Sequence, residues 1–135
     1  MKDIVALLDR PETVVAVVGA TDREEKFGSI IYRNLRAKGV QVRAVNPYRD
    51  SVAGDLCWRS LADLPEPPTI VNIVVPPART LAVLDECARL GFTTVWIQPG
   101  AADDAVWDRL ERGDLDALVD ACIMVPPVTR RPTAG

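Results

Sequence analysis

Histidine is absent from this sequence of 135 residues, and its absence excludes several kinds of site. Without an imidazole, the chain cannot build a Ser-His-Asp triad, a phosphohistidine, a histidine-ligated zinc or haem, or the usual general base near neutral pH. Cysteine is scarce as well: Cys57, Cys87 and Cys122 are widely spaced and form no Cys-x-x-Cys pair. A disulfide framework is therefore not expected, and a reducing cytosol is the predicted compartment.

Long apolar runs and a strong excess of one charge are also missing. The first ten residues have no apolar signal core, and no run approaches the roughly 18–20 residues that cross a bilayer, so no membrane partner is expected. The 16 basic and 19 acidic residues give a net charge of −3, which disfavours nucleic acid as a partner. We predict a cytoplasmic protein with one domain over residues 1–135, an N-terminal helix over residues 3–10 and an extended tail over residues 125–135.

Apolar runs typical of strands alternate along the chain with amphipathic stretches typical of helices. The first run, residues 13–18, is β-branched without polar alternation, which predicts a strand buried on both faces. Further strands are predicted at residues 40–45, 69–75, 94–98 and 115–119, and helices at 28–38, 76–90 and 102–112. Residues 48–68 are predicted to be irregular, apart from one turn over residues 61–64. This order predicts a three-layer, Rossmann-like α/β fold with a five-stranded parallel sheet.

Ligands of such folds bind beyond the carboxyl ends of the strands, so the residues that follow each strand are the informative ones. The loop after the first strand leads into a helix whose free amides can bind a phosphate. The dinucleotide fingerprint G-x-G-x-x-G is nevertheless absent, because the next glycine after Gly19 is Gly28. Asn46 and Pro47 also stand where an acidic residue would hold the ribose of NAD, and no Walker Gly-Lys-Ser/Thr is present. These absences disfavour NAD and ATP.

Short motifs follow the predicted strands in a fixed order. They are Val-Val-Gly-Ala-Thr at 17–21 with Lys26 and Gly28, Val-Asn-Pro at 45–47, Gly54, Ser-Leu at 60–61, Val-Pro at 75–76, Val-Trp-Ile-Gln-Pro-Gly at 95–100 and Asp-Ala-Cys-Ile at 120–123. The series resembles the small CoA-binding domain proteins, a family related to the CoA-binding domain of the succinyl-CoA ligase alpha subunit. The resemblance covers residues 14–124, nearly the whole chain.

The resemblance implies coenzyme A as the ligand, and it implies a set of cofactor-binding residues. They are Gly19, Ala20, Thr21, Lys26, Phe27, Gly28, Val45, Asn46, Pro47, Tyr48, Val75, Pro76, Arg79, Ile97 and Gln98. Residues 19–21 would offer amides and a hydroxyl to the pyrophosphate, Lys26 a positive charge, and Gly28 close packing of the helix on the ligand. Residues 45–48 and 75–76 would form the walls of the nucleotide crevice, with Arg79 a partner for the 3′-phosphate. Ile97 and Gln98 would line the pantetheine path.

The sequence also departs from the family pattern. Small members commonly have Phe-Arg-Arg-Pro after the third strand, whereas residues 75–79 are Val-Pro-Pro-Ala-Arg, and Ala121 replaces the usual arginine before the last cysteine. The ligase reaction needs a phosphohistidine, which this chain cannot supply. Cys122 is either a redox-active thiol or a small buried apolar residue.

The expected function is therefore that of a non-catalytic module that binds CoA or acyl-CoA, without a metal. The alternatives are a CoA-binding subunit of an acyl-CoA ligase-type enzyme that needs a partner chain, and a degenerate NAD(P)-binding domain. A homodimer and a larger ligase-type subunit are the protein partners to consider.

Overall fold

The β-branched run that begins the alternating pattern forms the central strand of the sheet. The computed structural model describes residues 3–125 and places strand β1 at Val14–Val18, with all five side chains buried. Strand β2, Gln41–Val45, pairs with β1 on one side, and β5, Ile70–Ile73, pairs with it on the other, both in parallel. A strand with two neighbours and a layer on each face contacts no water, which explains why β1 has no polar residue.

Helices and shorter strands complete the architecture. They are α1 Ile4–Leu7, α2 Phe27–Ala37, β3 Ser51–Val52, β4 Asp55–Trp58, a 3-10 helix Leu61–Asp63, α3 Pro77–Leu90, β6 Thr94–Ile97, α4 Asp104–Leu110 and β7 Asp116–Val119. Within residues 3–125 the strand order is β3-β4-β2-β1-β5-β6-β7, and only the β3–β4 pair is antiparallel. The α/β, Rossmann-like class is confirmed, but the sheet has seven strands rather than the predicted five.

The two additional strands form a hairpin inside the stretch that was predicted to be irregular. Val52 pairs with Asp55, so the turn consists of Ala53 and Gly54, whose φ angles are +52° and +84°. Two positive φ angles are the signature of the tight hairpin turns, which usually carry Asn or Asp before Gly. An alanine in that place hides the signal, so the sequence prediction was wrong over residues 51–58.

Two apolar layers enclose the sheet, and alternate residues of each strand point into opposite layers. Val15 and Val17 pack with α1 and with Ile31 and Leu35 of α2, whereas Ala16 and Val18 pack into the layer beneath α3 and α4. Helix α1 is shorter than the predicted helix over residues 3–10, and residues 126–135 of the predicted tail lie outside the described part. No helix within residues 3–125 is long and apolar enough to cross a membrane.

Candidate functional site

A groove runs along the carboxyl edge of the sheet and consists of three adjoining spaces. The first, which we call the α3 cleft, has a volume of about 430 Å³ and lies between the end of β2 and α3. The second, the α2 cleft, has a volume of about 410 Å³ and lies between the start of α2 and the loops after β5 and β6. A small cavity of about 110 Å³ adjoins the α2 cleft next to Phe27. The order in which successive strands are added reverses between β1 and β5: β2 lies on one side of β1, and β5 lies on the other. Open α/β sheets bind ligands at such a point.

Two glycines bring α2 against the end of β1. Gly19 has φ +106°, and a Cβ there would lie 2.7 Å from the carbonyl oxygen of Val74. A Cβ on Gly28 would lie 2.0 Å from the carbonyl oxygen of Gly19, so the first turn of α2 rests directly on the loop after β1. The resemblance implied that Gly28 packs closely on a ligand; the structure shows that its close neighbour is Gly19. In a dinucleotide fingerprint, the third glycine lets the helix pack closely against the first strand. Gly28 plays the same part here, although it lies farther along the chain from Gly19 than the fingerprint requires.

The floor of the α2 cleft carries the groups that suit an anion. Gly19, Lys26, Phe27 and Gly28 all line it. Lys26 precedes the helix with β-region backbone and makes no side-chain capping hydrogen bond. The amides of Ser29 and Ile30 donate to the carbonyl oxygen of Lys26, so the first-turn amides left for a ligand are those of Phe27 and Gly28. The positive end of the helix dipole and the Lys26 ammonium therefore act at the same place.

Asn46 connects the loop after β1 to the loop after β2. Its Nδ2 donates to the carbonyl oxygen of Ala20 at 2.8 Å, its Oδ1 accepts from the amide of Tyr48 at 2.9 Å, and its own amide donates to Trp58. Asn46 lines the α3 cleft, but its side-chain nitrogen and oxygen are both already hydrogen-bonded to the protein main chain. Ala20 is 0% exposed and Thr21, with its hydroxyl, is buried too, and neither residue lines either cleft or the small cavity, so the structure does not bring these two predicted residues to the groove. That hydroxyl already accepts from the amide of Arg23 at 3.2 Å.

Tyr48 and Arg79 form a pair across the mouth of the α3 cleft. Tyr48 is 79% exposed, and the Arg79 guanidinium carbon lies 5.5 Å from the centre of its ring. Within residues 3–125, Arg79 makes no ion pair, so its charge is free to meet an anion. Val45, Pro47, Val75 and Pro76 supply the apolar walls of the same cleft. An exposed ring beside a guanidinium, above an apolar floor, is suited to a base and a phosphate.

Ile97 and Gln98 are adjacent, but only one of them reaches the groove. Ile97 is fully buried in the layer beneath α3 and α4, and its carbonyl oxygen accepts from the amide of Asp120. The prediction that Ile97 lines a ligand path therefore finds no support in its position, because strand alternation turns its side chain to the opposite face from that of Trp96. Gln98 lines the small cavity together with Phe27 and Cys122.

The three cysteines occupy different environments. Cys87 is fully buried in α3, and burial raises the pKa of its thiol to about 12. Burial likewise raises the pKa of the Cys57 thiol. Both thiols are therefore protonated and inert near neutral pH. Cys122 is half-buried beside the small cavity, so it is the cysteine that adjoins the groove. In the described part of the chain, no cluster of three Cys, Asp or Glu side chains is arranged to hold a metal ion.

The groove also contains residues that the sequence reasoning missed. Arg59, Ser60, Leu61 and Glu86 line the α3 cleft. Arg59 donates to Asp50 at 2.7 Å, which ties the hairpin segment to the cleft wall. Their contribution depends on β4 pairing in parallel with β2, and that pairing was hidden because the hairpin was not recognised.

Comparison with known proteins identifies the domain family in which this groove occurs. The family model described as a CoA binding domain matches residues 13–126. The chain belongs to this family. Among its relatives is the ADP-forming acetate–CoA ligase I of Archaeoglobus fulgidus, 40% identical over 76 residues, which are 56% of this chain and 11% of the ligase. An uncharacterized protein of Bacillus subtilis, YneT, is 25% identical over 123 residues, covering 91% of this chain and 90% of that protein.

Solved structures agree with this assignment. A conserved hypothetical protein from Pyrococcus furiosus superposes with a TM-score of 0.79 at 37% identity, covering 83% of this chain and 97% of that one. The resemblance to the CoA-binding domain proteins is thereby confirmed. The chain spans only 11 to 18% of the length of the acetate–CoA ligases and ligase subunit that it matches, so it corresponds to one part of those proteins.

Proposed function

We propose that this protein binds CoA or an acyl-CoA along the carboxyl edge of its sheet and does not catalyse a reaction by itself. The observation that carries the proposal is the coincidence of the CoA binding domain match over residues 13–126 with a groove built around Gly19. Coenzyme A is long, with a nucleotide at one end and a thiol at the other. The α3 cleft, the α2 cleft and the small cavity adjoin one another in a row that such a ligand would fill.

The phosphates would sit at the start of α2. There the amides of Phe27 and Gly28 lie beside Lys26, whereas the amide of Gly19 donates to the carbonyl oxygen of Val45 at 2.9 Å and is not available to a ligand. These groups act locally, which a chain of net charge −3 requires, because its overall field repels a polyanion. We therefore expect modest affinity, micromolar or weaker, that falls with added salt.

The nucleotide would occupy the α3 cleft. The ring of Tyr48 offers an exposed stacking surface, and Arg79 beside it offers a guanidinium that is not engaged by a carboxylate of the described residues. Planar guanidinium groups match phosphate geometry, so Arg79 is the residue proposed for the 3′-phosphate. Loss of that phosphate from the ligand should weaken binding.

A thermal-shift titration with CoA, dephospho-CoA, NAD and ATP, at low and moderate salt, tests this proposal. A ligand at about 100 times its dissociation constant stabilises the folded protein by about 2.7 kcal/mol, which raises the melting temperature by several degrees. We expect a clear shift with CoA, a smaller one with dephospho-CoA, and none with NAD or ATP. A larger shift with NAD would favour the degenerate dinucleotide-binding alternative.

Charge reversal at Lys26 tests the proposed phosphate site. Lys26→Glu should weaken CoA binding about tenfold, since it places a carboxylate at the proposed phosphate site. Arg112→Glu is the matched control: it makes the same change in net charge at an exposed residue after α4, near the opposite edge of the sheet. Equal effects of the two variants would mean that only net charge matters and would remove Lys26 from the site.

A second candidate is a CoA-binding subunit that works with a larger ligase-type chain. It is favoured by the acetate–CoA ligases among the relatives, of whose length this chain covers only 11 to 18%. With no histidine, the chain alone cannot form a phosphohistidine. The purified protein should therefore make no acetyl-CoA from acetate, ATP and CoA. Activity that appears only with a co-purified ATP-grasp-type subunit would favour this candidate over a stand-alone binding module.

A further inference from the structure

The small cavity at the end of the groove has an apolar wall and one polar side chain. Phe27, Val74, Gln98, Pro99 and Cys122 line it, and none of these residues is charged. Phe27, Val74 and Pro99 also line the α2 cleft, so the cavity continues that cleft away from Lys26. A ligand whose phosphates lie at the start of α2 would reach the cavity with an uncharged end.

The side chain of Gln98 is held in one orientation by the protein. Its Oε1 accepts from Asn72 Nδ2 at 3.1 Å and from the amide of Ile123 at 2.9 Å. The two groups that donate to Oε1 are held in place by burial: Asn72 is fully buried in β5, and Ile123 is buried beside α2. The amide nitrogen of Gln98 is thereby turned away from these two partners.

That nitrogen makes no hydrogen bond within residues 3–125, and it is not enclosed by the protein: the buried side-chain polar atoms without a partner there are Asn34 Oδ1 and Asn72 Oδ1. The nitrogen is therefore accessible and free to donate, and a ligand's acceptor can replace the water that bonds it in the free protein. Because Gln98 lines the small cavity, a ligand that enters the cavity with a carbonyl oxygen would supply the missing acceptor.

We propose that the cavity receives the acyl end of a CoA thioester and that Gln98 Nε2 donates to the thioester carbonyl oxygen. This inference rests on the proposed function, since it assigns the far end of the same ligand. A free thiol is a weak acceptor, whereas the thioester carbonyl is a strong one, so the site distinguishes acyl-CoA from CoA. Gln98 is then a specificity-determining residue of the groove.

The size and charge of the cavity define the class of acyl group. An apolar cavity of about 150 Å³ holds a benzene molecule, so the volume of about 110 Å³ suits an acyl chain of about two to four carbon atoms. A dicarboxylic acyl group would bury its one free carboxylate against Phe27 and Val74 without a cationic partner, which is strongly unfavourable. The predicted ligand is therefore a short, uncharged acyl-CoA.

Isothermal titration of the full-length protein with CoA, acetyl-CoA, succinyl-CoA and octanoyl-CoA tests this inference. We expect acetyl-CoA to bind about five- to tenfold more tightly than CoA, as a gained hydrogen bond in a buried site predicts. Succinyl-CoA and octanoyl-CoA should bind no more tightly than CoA. Equal affinity for CoA and acetyl-CoA would overturn the inference while leaving the proposed function intact, whereas failure of every ligand to bind would remove the proposed function itself.

Gln98→Glu isolates the donor. The carboxylate keeps an oxygen for Asn72 and Ile123 but replaces the amide nitrogen with an acceptor, which repels a carbonyl. The preference for acetyl-CoA over CoA should disappear, whereas the weakening caused by the added negative charge should be the same for both ligands. Gln41→Glu is the matched control: it makes the same chemical change at the start of β2, where the side chain of Gln41 donates to Pro11, and it should keep the preference.

Cys122→Leu provides a second variant that leaves Gln98 unchanged. The larger side chain fills space next to Phe27, so it should also remove the preference for acetyl-CoA while CoA still binds. Melting curves confirm that each variant is folded before titration. A preference for acetyl-CoA that survives in either folded variant would show that the cavity does not hold the acyl group.

Discussion

The contact between α2 and the loop after β1 predicts a large effect of one methyl group. In Gly28→Ala, the new Cβ would lie 2.0 Å from the carbonyl oxygen of Gly19, and real Cβ atoms essentially never approach below 3.0 Å. Helix and loop must therefore separate by at least about 1 Å. The obstacle is a main-chain carbonyl, which cannot rotate aside as a flexible side chain would, so overpacking should cost about 3 kcal/mol.

A second effect of the substitution has the opposite sign. Alanine is favoured over glycine within a helix by about 1 kcal/mol, and Gly28 has ordinary helical backbone in α2. The net loss in free energy of unfolding should then be about 2 kcal/mol, which lowers the melting temperature of a domain of this size by about 8 °C. The same displacement should weaken CoA binding, because it moves the first-turn amides away from Gly19.

Urea and thermal unfolding of the variant measure this loss, and Gly39→Ala is the control. Gly39 has φ +87° and open space around it, so alanine there meets backbone strain of about 1 kcal/mol without a clash, and CoA binding should be unchanged. If Gly28→Ala were as stable as the wild-type protein, or no less stable than Gly39→Ala, the close packing of α2 on the loop would be refuted.

Two further predictions concern the contacts that hold the frame of the groove. Tyr32→Phe removes a 2.7 Å hydrogen bond to the carboxylate of Asp55 and should cost about 1–2 kcal/mol at pH 7. That bond is the main cause of the lowered pKa of Asp55, so its stabilising effect is present above the ordinary pKa and is lost as pH falls through the lower folded value. The difference in urea stability between wild type and variant should therefore shrink at pH 3, and a difference that grows would contradict the assignment. Arg109→Met removes bonds of 2.8 and 2.9 Å to Asp85 and Asp114 but keeps the apolar stem; it should cost about 1–2 kcal/mol in urea unfolding, and no loss would mean that packing alone holds α4 in place.

Local chemistry in the sequence predicts most of the fold correctly. The uninterrupted β-branched run at residues 14–18 can satisfy its side chains only when both faces are covered, so it identifies a central parallel strand. Gly91 has φ +80° and ends α3 where the sequence placed the end of the helix. These features depend on neighbouring residues alone, which is why they can be read without knowledge of the whole structure.

The remaining features depend on contacts between distant segments. The β3–β4 hairpin uses Ala53 where a turn normally shows Asn or Asp, and it is held in place by Tyr32 and Arg36 from α2. The orientation of the Gln98 side chain is set by two groups that bond its oxygen, and these lie 26 and 25 residues away along the chain. No pattern of neighbouring residues indicates these contacts between distant segments.

Nuclear magnetic resonance of the backbone amides shows directly whether CoA binds at the carboxyl edge of the sheet. Gly19, Gly28 and Gly100 line the α2 cleft, whereas Gly39 and Gly91 follow helices at the opposite edge of the sheet. In a titration of the isotope-labelled protein, the first three amides should shift in proportion to bound CoA while the other two stay in place. Shifts spread evenly over all five glycines, or no shift at saturating CoA, would contradict a CoA site at the carboxyl edge of the sheet.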